Sequence, residues 1–86
     1  MSTFKKLVRK FIEEPHKIKI PDIERLLGEL GYEERRNPGS ERIFHKKGAN
    51  PITVPTVSGR AVKVMYVKRI AKILYLEDLL DKFTES

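Results

Sequence analysis

The apolar residues of this chain keep a helical period, lose it, and recover it. That change limits the fold more than any other feature. Phe4, Leu7, Val8, Phe11 and Ile12 fall at i, i+3, i+4, i+7 and i+8, one face of a helix over residues 3–14. Thr3 suits the N-cap, and Pro15 ends the run. Residues 15–21 form a connector with a proline at each end. From Asp22 the pattern repeats through Ile23, Leu26, Leu27 and Leu30, with Gly31 placed to stop it. The helical period then disappears. Residues 32–36, 41–46 and 52–55 read as short strands, separated by turn compositions at 37–40 and 47–51. Pro55 suits a strand end or a sheet edge. From about Lys63, Val64, Val67, Ile70, Ala71 and Leu74 share a helical face again. Leu76, Leu79, Leu80 and Phe83 continue as a final short amphipathic helix, and the pattern does not decide whether Tyr75-Leu76 breaks it from the one before. Short turns between the strands predict an antiparallel meander. The expected fold is α+β: a small α-β-β-β-α domain with a three-stranded antiparallel sheet packed by helices, an extra N-terminal helix and a helical C-terminal tail.

At 86 residues the chain is one domain with a small core. It has no cysteine, so neither disulfides nor thiolate-metal sites can supplement that core. Absent cysteine fits a reducing compartment, and a cytoplasmic location is expected. Charges interrupt every apolar stretch, so no membrane span and no membrane partner are expected. The start, Met-Ser-Thr-Phe-Lys-Lys, does not read as a secretion signal. Positive charge is concentrated in the middle. Residues 32–69 carry nine basic and three acidic side chains, a net +6, against +2 for residues 1–31 and −2 for residues 70–86. A basic centre with an acidic tail points to an anionic partner, nucleic acid before membrane. The basic polar face of the first helix reads as the outside of a helix packed on its own domain.

Few enzyme constellations are available. There is no cysteine nucleophile, glycine-rich phosphate loop or nucleophile elbow. His16 and His45 are too far apart in sequence to suggest a zinc site, and neither metal nor cofactor is expected. RNA carries its own nucleophile, the 2′-hydroxyl, so cleavage needs only a base, an acid and cations near the phosphate. Glu41 and His45 share a face of the second strand by parity, with Ile43 between them, and are the candidate catalytic residues. Arg60, Lys63, Lys68, Arg69 and Lys72 form a candidate phosphate-reading row on the helix after the sheet and the loop before it.

The order of motifs resembles the HicA family, also called YcfA-like, the small toxins of HicAB toxin–antitoxin pairs. The matching pieces are Leu-Gly-Glu-Leu-Gly-Tyr (27–32), Gly-Ser-Glu-Arg-Ile-Phe (39–44), Ile-Thr-Val-Pro (52–55), Ser-Gly-Arg (58–60) and Arg-Ile-Ala-Lys-Ile-Leu (69–74). The likeness spans residues 22–74, leaving 1–21 as an added helix and connector and 75–86 as an acidic helical tail. It implies a fold similar to a double-stranded-RNA-binding domain, metal-independent mRNA cleavage, and a HicB-like antitoxin as partner. It also extends the RNA surface to Ser40, Arg42, Lys46 and Lys47. The family's catalytic histidine follows Gly-Ser directly, where this chain has Glu41; Arg42 stands where a second histidine is common, and Thr56-Val57 where another often follows Val-Pro. The resemblance therefore implies a HicA-like RNA-binding protein with weak or lost mRNA-cleaving activity. The alternatives are an active metal-independent mRNA interferase (an endoribonuclease) using Glu41 or His45, and a protein-interaction module without RNA activity.

Overall fold

A computed structural model describes residues 3–36, 41–56 and 62–85. It is a small α+β domain of four helices and a three-stranded antiparallel sheet. In chain order these are α1 (Thr3–Glu13), a single 3-10 turn (Pro15–Lys17), α2 (Ile20–Glu29), β1 (Glu33–Arg36), β2 (Glu41–His45), β3 (Ile52–Pro55), α3 (Val64–Ile73) and α4 (Leu76–Glu85). The sheet order is β1-β2-β3, so β2 is central and Pro55 ends an edge strand.

Helix α2 begins at Ile20, two residues earlier than the Asp22 start expected from the apolar stripe. Pro21 is the reason the earlier start is tolerated: in the first turn its missing N–H has no helical partner to lose. The Asp22 carboxylate accepts the Lys19 backbone N–H at 3.0 Å and lies 3.4 Å from Lys10 Nζ, tying the start of α2 to α1. At the other end Gly31 takes φ +92°, and the Tyr32 and Gly31 N–H groups close onto the Leu27 and Gly28 carbonyls at 2.8 and 3.1 Å. This is a left-handed glycine cap that satisfies the last carbonyls and turns the chain into β1. In the connector, Lys17 bonds Glu14 at 2.8 Å, and that hydrogen bond and charge hold the Glu14 carboxyl below its ordinary range.

One core joins the four helices to β2 and β3. Leu7, Val8 and Phe11 come from α1, Ile23, Leu26 and Leu27 from α2, Phe44, Ile52 and Val54 from the sheet, Val67 and Ile70 from α3, and Leu76 from α4. Ile18 in the connector and Ile20 at the start of α2 are buried, while Lys17 and Lys19 between and beside them are exposed. No polar side chain is buried among the described residues. The chain does break before the last helix: Tyr75 adopts φ +53°, and the turn it makes delivers Leu76 fully into the core. Leu79 and Leu80 follow as half-buried residues on the same helix, and the Phe83 side chain lies outside those described.

Candidate nucleic-acid interface

The register assigns each strand residue to one of two sheet faces. Glu34 pairs with Phe44, Phe44 with Ile52, and Arg42 with Val54. These residues face the helices, because Phe44, Ile52 and Val54 are buried in the common core. Glu33 opposite His45, Arg35 and Thr53 flanking Ile43, and Glu41 opposite Pro55 make up the other face. That face is open, with Glu33, Arg35, Glu41 and Thr53 exposed and Ile43 and His45 half-buried.

Glu41 and His45 thus share the open face, as strand parity predicts. Their Cα atoms are about 13 Å apart at roughly 3.3 Å per residue. Among the described residues the fixed charges on this face are Glu33, Glu41 and Arg35, a net negative surface where a phosphate would have to sit. The basic excess of the middle segment lies elsewhere.

Arg42 belongs to the helix-facing side. Its Nη1 donates to Glu34 Oε2 at 2.8 Å and to Glu24 Oε2 at 3.2 Å, so one half-buried guanidinium joins β1, β2 and α2. Lys46 extends its stem past Gly31 and sets its ammonium 5.6 Å from the centre of the Tyr32 ring, a cation–π contact at the end of the sheet. Lys47 is exposed in the turn that follows. Ser40 and Arg60 lie outside the described residues.

Helix α3 carries the remaining cations. Lys63 occupies its N-cap, and Lys68, Arg69 and Lys72 follow one another around the side opposite Val67 and Ile70. All four are exposed. Lys63, Lys68 and Lys72 make no ion pair with a described residue, and Arg69 lies 5.8 Å from the Tyr66 ring. No Asp or Glu occurs between Arg42 and Leu76, so α3 itself supplies no carboxylate to pair with them. That run was visible in the sequence and is a sharper signal than net charge.

Three apolar side chains stand out beside this row. Met65, Ile73 and Tyr75 are 59%, 48% and 71% exposed. Met65 and Ile73 fall on the outer side of α3 among the cations, and Tyr75 sits at the break after it. Nothing in the periodicity marks Tyr75, since the apolar stripe runs past it through Leu74 and Leu76. Among the described residues no helix is long and apolar enough to cross a membrane, and no three His, Asp or Glu side chains converge as metal ligands would. No family model, no curated protein and no solved structure matches the chain.

Proposed function

We propose that this is an RNA-binding protein of HicA-like, toxin–antitoxin lineage that holds the RNA backbone on α3 and cleaves it weakly or not at all. The observation that carries the reading is the exposed cations of α3, Lys68, Arg69 and Lys72 on its outer side and Lys63 at its N-cap, with no carboxylate between them in the sequence. Such a row meets phosphates without first breaking internal ion pairs, and phosphate neutralisation dominates affinity for nucleic acid. The order helix, three strands, helix, with helices on one sheet face, agrees with the double-stranded-RNA-binding-domain-like fold that the resemblance implies. Helix and loop contacts suit an RNA duplex, which is recognised by shape and backbone. A HicB-like antitoxin is the protein partner the same lineage implies.

The open sheet face supports the reading of weak or lost cleavage. Glu41 stands where the resemblance puts a histidine, and the fixed charges around it are net negative. The test is titration of a labelled RNA hairpin at increasing salt. With four phosphate contacts, log K falls with log salt at a slope of about −3, roughly 60-fold in affinity between 50 and 200 mM. Absence of binding at low salt rejects the reading.

A further inference from the structure

A groove of about 560 Å³ opens between α1, α3 and α4, floored by Phe11, Ile12 and Ala71. One wall carries Lys68 and Lys72, one turn apart on α3; the other carries Glu77 and Asp78, from the first turn of α4. These opposite charges line one groove, yet none of the four makes an ion pair with a described residue.

Tyr75 lines the same groove. It holds φ +53°, a left-handed conformation that glycine or asparagine adopts at lower cost. The strain is not repaid by burial of its ring, which is 71% exposed. An exposed aromatic face beside two free cations and an apolar floor has the composition of a base-stacking platform.

We propose that this groove receives one unpaired RNA base, stacked on Tyr75, with its phosphate on Lys68 and Lys72 and its amino group on Glu77 and Asp78. The inference rests on the RNA-binding reading and adds to it that α3 grips the backbone next to an unpaired nucleotide. Carboxylates accept hydrogen bonds, so the acidic wall favours cytosine, whose N4 amino group donates, over uracil, whose O4 only accepts. The acidic wall also keeps the phosphate on the lysine side, which sets the direction of the nucleotide in the groove.

The experiment uses the full chain and three hairpin RNAs of one stem: fully paired, with one bulged cytidine, and with one bulged uridine. The bulged-cytidine hairpin is expected to bind about 5- to 150-fold more tightly than the paired one, the range for stacking one base. The bulged-uridine hairpin gains less. Tyr75→Asn, which tolerates the left-handed backbone, removes the increment and leaves the paired hairpin's affinity in place, while Tyr75→Phe retains it. Paired-hairpin binding with no gain from the bulge, an increment that survives Tyr75→Asn, or equal gain from both bulges overturns the inference and leaves the reading of α3 standing. Failure to bind any hairpin overturns both. Self-association that disappears in Tyr75→Asn assigns the groove to a second copy of the chain and also overturns it.

Discussion

Arg42 is a residue whose neighbours change its role. Charge alone sets it beside the other candidate phosphate-binding cations, but its guanidinium is held between Glu34 and Glu24 on the helix-facing side of the sheet. Removing it leaves the half-buried Glu34 carboxylate without its partner, so Arg42→Met should lower unfolding stability by about 1–2 kcal/mol in denaturant titration. Affinity for an RNA hairpin should change by less than about twofold, well below the loss from one phosphate contact at moderate salt. This pairing was not readable from sequence. It depends on which face of β2 turns inward, and Glu24 lies 18 residues away on α2. Glu41 is the opposite case, because strand parity already put it with His45. In excess chelator the native protein should cut a long labelled RNA weakly or not at all, and Glu41→Ala should leave that unchanged. Cleavage by the native protein that disappears in Glu41→Ala would make Glu41 a working base.

At the scale of elements, local chemistry written in single residues was the most legible. β3 spans Ile52–Pro55, the four residues whose alternation and proline marked it, and Gly31 ends α2 as its position suggested. Gly31 requires φ +92°, so Gly31→Ala should cost about 1–2 kcal/mol in stability even though an added Cβ meets only the Lys46 stem, at 3.6 Å. A loss below a few tenths of a kcal/mol would show that the turn can relax. The start of α2 was less legible, because Pro21 fits either just before or within a first turn. The break between α3 and α4 had no local signal at all. Tyr75 is not a turn former, and only the demand that Leu76 enter the core explains a left-handed residue there.

Across the whole molecule, charge and apolar burial divide the surface. The domain measures 42 × 29 × 20 Å, and its sheet offers one face to the helices and one to solvent. The open sheet face is net negative among the described residues, whereas α3 presents cations uninterrupted by acids. The regional excess of positive charge and the cation row on the helix after the sheet were legible in the sequence, but the net negative open face around Glu41 needed the register. The most direct measurement is the salt dependence of RNA hairpin affinity for the native chain and for the triple variant Lys68→Gln, Arg69→Gln, Lys72→Gln. The native slope of about −3 should shrink in magnitude by about two units in the variant, with its thermal unfolding unchanged. An unchanged slope, or no salt-sensitive RNA binding by the native chain, would contradict the assignment of α3 as the RNA-binding surface.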